Sequence, residues 1–174
     1  MRNLFLFLIL GLLIVNTNYA QKYNNIIIDI KTNKEILYGK CNIEGFKKTE
    51  FAEIYKIEYK YYIPDSNILI KIKPLLKKIR FHITMGSWCG DSQQQIPRFI
   101  KLLDKLNYKT KKTDILAIDH FFKAKNFEKG TNKIERVPTI IVYRKGKEIG
   151  RIVETPVETL EKDLLKILSD TNSK

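Results

Sequence analysis

The most constraining feature of the sequence is a strand, a helix and a second strand in succession between residues 79 and 119. Ile79–Met85 (IRFHITM) places apolar side chains at alternate positions, which is typical of a strand. Residues 91–106 carry apolar side chains at helical spacing, with a bend expected at Pro97, and residues 113–119 (TDILAID) form a second apolar strand. Because a helix joins the two strands, the pattern predicts that they are parallel.

The chain beyond residue 138 predicts an antiparallel hairpin and a final helix. Residues 139–143 (TIIVY) and 148–153 (EIGRIV) flank the segment RKGK, whose glycine permits a tight reversal. Pro156 is expected to begin a helix that ends at Leu168. Together with the parallel pair, these elements predict an α/β fold with a mixed sheet and helices on its faces.

The N-terminal third predicts one strand and two helices. Residues 24–30 (NNIIIDI) are rich in β-branched side chains and predict a short strand. Residues 43–62 show apolar and aromatic side chains at roughly helical spacing. Asp65 is positioned to cap a further helix that continues through Lys78 and is kinked at Pro74. We therefore expect an extension of residues 21–78 that packs on a domain of residues 79–174.

The first twenty residues have the pattern of a secretory signal peptide. Arg2 is followed by an unbroken apolar run at residues 4–15 and by a polar stretch that ends at Ala20. The run is shorter than the roughly 20 residues that span a bilayer. We expect an exported protein, periplasmic or otherwise extracytoplasmic in a bacterium. An uncleaved leader is the alternative, and it would be the only contact with a membrane.

The charge of the chain is strongly basic but evenly distributed. There are 32 lysine and arginine residues against 19 aspartate and glutamate residues, which gives a net charge of +13. Lysines alternate with acidic residues along the chain, whereas nucleic-acid-binding proteins usually concentrate arginine and lysine on one face. The charge therefore indicates a solvated basic surface, and we expect no nucleic-acid partner. No cluster of metal-ligating residues is evident, and no metal or cofactor is expected.

The segment MGSWCGDS places a cysteine where the first parallel strand meets its helix. This edge of an α/β sheet is where such proteins usually bind and react. Unpaired N–H groups at the start of the helix favour the thiolate form of Cys89, whereas the charge of Asp91 disfavours it. Trp88 offers a flat apolar surface for an extended peptide, and the Ser92 hydroxyl can point back at the sulfur. A buried structural cysteine is the alternative, but the polar residues around this position favour a surface turn.

These residues resemble the thioredoxin superfamily, and in particular exported thioredoxin-like proteins of bacteria of the Bacteroidetes type. The resemblance covers about residues 79–169 and rests on WCGDS after an apolar strand, on Pro97 in the following helix, and on RVPTIIVYRKGKEIGR at residues 136–151. It implies a thioredoxin-like three-layer fold, in which a mixed central sheet is flanked by helices. It also implies that Cys89 is the nucleophile. By the same resemblance, Val137 and a cis Pro138 would shape a substrate groove.

The predicted site follows from this resemblance and from the turn. Cys89 and Ser92 are assigned to catalysis. Substrate binding is assigned to Trp88, Gly90, Asp91, Val137 and Pro138.

Two departures from the family pattern bear on mechanism. Ser92 replaces the second cysteine, and Ile83 stands where many thioredoxins have a buried carboxylate. Release of a mixed disulfide must then come from elsewhere: from an external thiol, from the substrate's own second thiol, or from Cys41 as a resolving thiol. These routes describe a monothiol reductase or an isomerase. The expected partners are a disulfide-bearing protein or a small thiol, together with an external thiol reductant, and a monomer is expected.

Other functions stay open at this stage. The missing second thiol and Ile83 are also compatible with a redox-silent thioredoxin-fold module that binds peptides or partner proteins. A peroxidase is disfavoured, because no Thr-x-x-Cys pattern precedes the cysteine. His82 is interpreted as a hydrogen-bonded structural residue, and His120 is a candidate for stabilising the thiolate, because it follows the second parallel strand on the same edge as Cys89.

Overall fold

A computed structural model describes residues 23–124 and 133–170. In this part the chain forms a mixed six-stranded sheet with the spatial order β1-β2-β4-β3-β5-β6. The strands β3 and β4 are parallel, and every other neighbouring pair is antiparallel. The strands are β1 Asn25–Ile28, β2 Glu35–Cys41, β3 Ile79–Met85, β4 Thr113–Ala117, β5 Thr139–Arg144 and β6 Lys147–Val153.

Five α-helices accompany the sheet in the described part of the chain. Each of them contributes side chains to one main core, which also receives Phe81, Ile83 and Met85 from β3. Helix α2 packs on α4, and α3 packs on α5. The helices are α1 Ile43–Phe46, α2 Phe51–Tyr61, α3 Ser66–Ile72, α4 Gly90–Lys105 and α5 Leu160–Ser169.

The central strand-helix-strand prediction is confirmed. The predicted strands correspond to β3 and β4, and their parallel register pairs Ile83 with Ile115 and Met85 with Ala117. The predicted helix corresponds to α4, in which Pro97 is buried inside the helix. The hairpin is also confirmed, since β5 and β6 are antiparallel and their turn contains Gly146 at a positive φ of 84°. An α/β fold with a mixed sheet is therefore observed.

The strand β2 is the main element that the sequence pattern does not reveal. Its residues EILYGKC show no clean alternation, and both Ile36 and Leu37 are buried. Gly39 has a φ of 85°, which is outside the usual strand region and interrupts the regular period of two. The strand is recognisable only from its pairing with β1 and β4, which a single sequence does not display.

Two predicted helices have different bounds in the structure. The helix predicted over residues 43–62 is divided into α1 and α2, and Thr49 between them has a φ of 60°. The last helix begins at Leu160 instead of Pro156. The Thr159 hydroxyl caps it by accepting from Lys162 N, and the Asp163 carboxylate accepts from the N–H groups of residues 157 and 158. These hydrogen bonds hold the preceding residues in a turn.

The predicted extension of residues 21–78 is continuous with the rest of the protein where the structure describes it. It supplies β1 and β2 to the sheet, and Phe46, Phe51 and Ile72 are fully buried in the main core. Asp65 caps α3 as predicted, by accepting from Asn67 N. The helix ends in a 3₁₀ turn at Lys73–Leu76, which contains Pro74.

The predicted signal peptide lies outside the described residues. Within residues 23–124 and 133–170, no helix has the length and apolar character needed to cross a membrane.

Candidate functional site

Cys89 is the N-cap residue of the 16-residue helix α4. The chain leaves β3 at Met85 and turns sharply, with Cys89 N donating to the Gly86 carbonyl at 2.9 Å. The Cys89 carbonyl accepts from Gln93 N at 2.9 Å and thereby begins the helix. The half-buried sulfur thus stands at the carboxyl edge of the parallel pair, beside the unpaired N–H groups of the first helical turn.

The sulfur of Cys89 is in direct contact with the segment before β5. Its thiol donates to the carbonyl oxygen of Val137 over 3.2 Å. The Val137–Pro138 peptide bond is cis, as the sequence predicts. The side chains of both residues are buried, so Val137 reaches the sulfur through its backbone. The structure therefore brings together two predicted parts of the site that are 48 residues apart along the chain.

The ring of Trp88 is fixed on two sides. Its Nε1 donates to the Ile118 carbonyl at 2.9 Å, and its face stacks on the His120 imidazole with 3.8 Å between centroids and 21° between planes. Gly86 permits this position, because a Cβ at Gly86 would lie 2.6 Å from Trp88 Cε2. The indole is thus held at the edge of the sheet, and Trp88 is the residue that precedes Cys89 in the chain.

The predicted role of Ser92 needs correction. Its side chain is fully buried, and its hydroxyl oxygen accepts from the backbone N–H of Gly86 at 3.2 Å. The hydrogen bond of the Cys89 thiol goes to Val137 instead. Ser92 therefore stabilises the turn that carries Cys89. A buried hydroxyl is expected to find such a partner in the backbone.

Gly90 and Asp91 lie in the first turn of α4. Gly90 is exposed, and a Cβ added there would meet nothing within 4 Å. Asp91 is half-buried and stands where a carboxylate interacts favourably with the N-terminal end of the helix dipole. Both residues follow Cys89 directly in the chain, and their substrate-binding role stays a prediction.

Cys41 is not placed near Cys89. It lies in β2 opposite Ile115, two residues after Gly39, which pairs with Ala117 at the level of Met85. Because β2 is antiparallel to β4, the chain from Gly39 to Cys41 runs away from the edge that carries Cys89. The two thiols are free, and that of Cys41 donates to the Gly39 carbonyl at 3.3 Å. Burial raises the pKa of the Cys41 thiol to about 12. The prediction that Cys41 resolves a mixed disulfide thus has no support in this geometry.

Ile83 has the setting that the sequence predicts. It is fully buried in β3, opposite Ile115 on one side and Ile140 on the other. Ile83 is thus part of the apolar core, and its own side chain offers no proton acceptor.

His82 is a hydrogen-bonded structural residue, as the sequence predicts. Its Nδ1 lies 3.1 Å from Asp114 Oδ2, and its Nε2 lies 3.2 Å from the Thr84 hydroxyl. The hydrogen bond from His82 lowers the pKa of the Asp114 carboxyl and outweighs the opposite effect of burial. This pair lies on the neighbouring strands β3 and β4, within the sheet.

Asp29 is a residue of the site that the sequence analysis does not identify. It follows β1 and is buried, and its Oδ2 accepts from both the backbone N–H and the hydroxyl of Thr32, at 2.9 and 2.8 Å. Its Oδ1 lies 2.9 Å from His120 Nδ1. Burial raises the pKa of Asp29, but the contacts with Thr32 and His120 outweigh it and hold the pKa below its usual value. The only local indication of this role in the sequence is the segment DIKT, in which an acidic residue stands three residues before a threonine.

A small apolar cluster adjoins the turn. Cys89 and Trp88 pack against it, together with the half-buried Tyr38 and Phe122. Phe121, the residue after His120, is 55% exposed. This surface offers apolar contacts beside a half-buried thiol. The buried members of the cluster are Leu116, Ile118, Ala124 and Val137.

The site contains no arrangement suited to a metal ion. Among the residues that the structure describes, no group of three or more histidine, cysteine, aspartate or glutamate side chains could hold one. The chemistry that these side chains offer is that of a single thiol at a helix N-terminus.

Comparisons with known proteins leave the family open. No protein-family model matches the chain, and no curated protein matches it. Similar solved structures include a protein of unknown function from Pseudomonas aeruginosa, with a TM-score of 0.46 and 15% sequence identity over 68% of this chain and 79% of that chain. They also include an HIV epitope-scaffold, with a TM-score of 0.46 and 14% identity over 68% of this chain and 79% of that chain. Neither similarity is close enough to assign a family.

Proposed function

We propose that this protein is a thioredoxin-like thiol-disulfide exchange protein that uses Cys89 as its single nucleophile. The observation that carries the proposal is the position of one sulfur, at the N-cap of α4 and 3.2 Å from the Val137 carbonyl beside a cis proline. The mixed sheet, with a parallel central pair and an antiparallel hairpin after the proline, supports a thioredoxin-like three-layer fold.

The proposed first step is attack on a disulfide. Cys89 loses its proton to solvent, and the hydrogen bond to Val137 is given up. The thiolate then forms a bond to one substrate sulfur while the substrate S–S bond breaks, and the second substrate sulfur departs as a thiolate. The products are a mixed disulfide at Cys89 and one free substrate thiol. N–H groups and the dipole at the start of α4 favour the anionic sulfur in this step.

The surroundings of Cys89 support a peptide or protein substrate. Exposed Gly90 leaves the sulfur approachable, and the half-buried Trp88 and exposed Phe121 provide apolar surface nearby. Asp91 adds one negative charge to the border of the site. A peptide segment that carries a disulfide could pack on this apolar surface while one of its sulfur atoms contacts Cys89. A small disulfide would contact only the Cys89 sulfur.

Release of the mixed disulfide is assigned to a thiol from outside the protein or from the substrate. Ser92 has no sulfur, and Cys41 is buried in β2 with a raised pKa. An external thiol attacks the mixed disulfide, frees Cys89 as a thiolate and forms a new disulfide with the former substrate sulfur. The external thiol route gives a monothiol reductase, and attack by the substrate's second thiol gives an isomerase. We place this activity in an extracytoplasmic compartment of a bacterium, on the basis of the leader sequence.

Turnover of a disulfide peptide by excess glutathione tests this function. The full mature chain should accelerate the reaction and form an adduct that maps to Cys89, whereas Cys89→Ser should reduce the rate to that without protein. Cys41→Ser is the matched control, because it removes the other thiol, and it should retain the rate within about twofold. Turnover that survives Cys89→Ser would contradict the proposal.

The alternative function is a redox-silent module that uses the same surface for binding alone. The apolar setting of Ile83 and the chemistry of Ser92 favour it, because Ile83 has no ionisable group and Ser92 has no sulfur that could release a mixed disulfide. The glutathione assay separates the two functions. A silent module shows no acceleration and no adduct at Cys89, while an exchange protein shows both.

A further inference from the structure

A groove lined by four lysines, two tyrosines, an alanine and a glutamate lies on helix α2, and it is called the α2 groove below. Its volume is about 550 Å³, and most of its lining surface is apolar. Helix α4 contributes Lys101, which stands twelve residues after Cys89 and therefore lies roughly 18 Å further along the helix axis. The α2 groove is thus separate from the thiol site.

The sequence of α2 places the groove residues on one side of the helix. Ala52, Lys56 and Lys60 recur at intervals of four residues, and so do Tyr55 and Tyr59. Residues four apart are neighbours on a helix surface, so these side chains form two adjacent rows. Lys56 and Lys60 carry like charges at this spacing, which disfavours the helix. The stability of α2 therefore does not explain this pair of lysines.

Most of the positive charge in the α2 groove has no neighbouring carboxylate. Lys47 forms an ion pair with Glu44 at 2.8 Å. Among the residues that the structure describes, no carboxylate forms an ion pair with Lys56, Lys60 or Lys101. The only acidic residue in the lining is one glutamate, so the lining carries three more positive than negative charges. A negatively charged ligand therefore meets complementary charge in the groove.

The two tyrosine rings of the groove are engaged by contacts within the protein. Their centroids lie 5.7 Å apart with 23° between planes, and the Lys101 ammonium lies 4.6 Å from the Tyr59 centroid. Tyr55 also packs against Phe46 and Phe51 and is only 9% exposed. Proteins that bind single-stranded nucleic acids stack bases on accessible ring faces. The engaged rings therefore favour a peptide ligand over a nucleic acid.

The two tyrosine hydroxyls differ in their hydrogen bonds. The Tyr59 hydroxyl donates to Asp104 Oδ2 at 2.7 Å. The Tyr55 hydroxyl makes no hydrogen bond with any residue in the described part of the chain. Burial raises the pKa of Tyr55, so the hydroxyl keeps its proton at neutral pH. Tyr55 therefore offers a hydrogen-bond donor, among lysines, to an acceptor such as a carboxylate.

We propose that the α2 groove binds an acidic peptide segment of a partner protein. An apolar side chain of the segment lies in the groove, and carboxylates on either side of it contact Lys56, Lys60 and Lys101. Charge complementarity and the apolar lining together carry this proposal. The binding is non-covalent and does not depend on the exchange chemistry of Cys89.

The shape of the α2 groove favours a peptide over a small anion or a free small molecule. A phosphate or acetate ion is far smaller than the groove and would leave its apolar lining uncovered. Pockets for small molecules usually enclose most of the ligand's surface. Here every lining residue except Lys47 and Lys101 belongs to α2, so one helix forms most of the wall. A peptide segment fits such a surface, because the rest of the partner protein supports it.

Calorimetric titration of the full mature chain with the end-blocked peptide GEDLFDEG tests the proposal. The peptide should bind saturably at about 50 mM salt, and binding should weaken by about fivefold at about 300 mM salt, because surface charges are screened. The peptide GEDGGDEG has the same charge without the two apolar side chains, and it should bind about tenfold more weakly. Equal binding of the two peptides, or no binding of GEDLFDEG, would overturn the proposal.

Variants separate binding in the groove from the general attraction of a basic protein for an acidic peptide. Lys56→Ala/Lys101→Ala should weaken the binding of GEDLFDEG by about tenfold, because two carboxylate partners are lost. Lys71→Ala/Lys77→Ala is the matched control, since it removes the same charge from exposed lysines outside the groove. It should change the affinity by less than about twofold. An equal loss in both variants would indicate that net charge alone attracts the peptide, and it would overturn the proposal.

Ala52→Leu tests the groove without changing any charge, because it places a larger side chain in the lining. It should weaken the binding of GEDLFDEG by about fivefold, and it keeps the proposal testable if Lys101→Ala does not fold. Cys89→Ser should bind the peptide as the unmodified protein does, and a loss of binding there would contradict a separate site. A single-stranded oligothymidylate that binds more tightly than GEDLFDEG, and loses affinity in Ala52→Leu, would overturn the peptide in favour of a nucleic acid.

Discussion

Cys41 lies within strand β2 of the sheet, whereas Cys89 lies four residues beyond the end of strand β3, at the start of helix α4. Cys41 belongs to the main core, and burial raises the pKa of its thiol to about 12. At pH 8 such a thiol is ionised in about one molecule in ten thousand. Cys89 is half-buried, and its neighbour Gly90 is exposed. The same side chain is thus buried with a raised pKa in one place and partly exposed in the other.

The two cysteines differ in how the backbone around each of them is used. In β2 the peptide groups of Cys41 are part of the pairing with β4, and the side chain fills space in the core. At the turn, the chain has left the sheet and the first N–H groups of α4 have no partner inside the helix. Those groups are available to a negative charge at the sulfur.

The largest expected effect concerns release of the mixed disulfide. Ser92→Cys places a second thiol one helical turn from Cys89, and it should shorten the lifetime of a Cys89–glutathione adduct by about 100-fold, because attack becomes intramolecular. The lifetime can be followed by mass spectrometry after excess glutathione disulfide is removed. An adduct whose lifetime is unchanged in Ser92→Cys would show that the two sulfurs cannot meet.

Cys41→Ser is the matched test of the other thiol. It should leave the lifetime of the adduct unchanged within about twofold, because Cys41 is buried and almost fully protonated. A marked increase in lifetime would mean that Cys41 resolves the adduct, and it would remove the distinction between the two cysteines.

Two glycines near Cys89 provide an intermediate effect. In Gly86→Ala the new Cβ would lie 2.6 Å from Trp88 Cε2 and should displace the indole, at a cost of about 1–3 kcal/mol in unfolding free energy and about a tenfold loss in the alkylation rate of Cys89. In Gly90→Ala the Cβ meets nothing within 4 Å. In this variant the unfolding free energy should rise by about 0.5 kcal/mol, and the alkylation rate of Cys89 should stay within about twofold of the unmodified protein.

Denaturant unfolding and alkylation kinetics of both glycine variants provide the measurement. If Gly86→Ala keeps the alkylation rate and the fluorescence of Trp88, then the fixed position of the indole has no part in the reactivity of Cys89.

The smallest expected effect is on stability. Cys41→Ala leaves a small cavity in the core and should lower the unfolding free energy by about 1 kcal/mol at pH 7, while Cys89→Ala should change it by less than about 0.5 kcal/mol. Denaturant titrations of the three proteins provide the comparison. A larger loss for Cys89→Ala would indicate that Cys89 is the structural cysteine.

The stability difference between Cys41→Ala and the unmodified protein should also depend on pH. The folded pKa of Cys41, about 12, is above the ordinary value of 9.0, so the folded state keeps a proton that the unfolded state loses. The protonated Cys41 thiol therefore contributes to the unfolding free energy. This contribution is fully present below about pH 9, and it decreases by roughly 1.4 kcal/mol per pH unit between the unfolded and the folded pKa. The variant should therefore be about as stable as the unmodified protein near pH 10. A difference that stays constant from pH 7 to 10 would contradict the inert, protonated state of Cys41.

The central elements of the fold can be predicted from the sequence, because each of them shows its own local pattern of apolar residues. Ile79–Met85 alternates cleanly, and the next helix has a regular apolar face, so the parallel pair and the turn at Cys89 follow from periodicity. Strand β2 is not readable in this way. Gly39 at positive φ interrupts its period, and its identity comes from pairing with strands that are distant in the sequence.

The residues of the candidate site show the same division between local sequence signals and contacts that depend on long-range pairing. Cys89, Trp88 and the Val137–Pro138 segment are predicted because each belongs to a short recognisable motif. Asp29 is missed, since only the pairing of β1 with β2 and of β2 with β4 brings it to His120. The partner of the Ser92 hydroxyl is also missed, because a sequence motif does not show that its oxygen accepts from Gly86 N.

Alkylation of the reduced, folded protein by iodoacetamide at pH 7, resolved by peptide mass spectrometry, tests the central distinction most directly. For each cysteine, the extent of alkylation in the folded protein is divided by the extent in denaturant, so that differences in peptide detection cancel. Cys89 should be modified in the folded protein, and Cys41 should be modified only after unfolding. Modification of Cys41 in the folded protein at a rate equal to that of Cys89, or protection of Cys89 until the chain unfolds, would contradict the account.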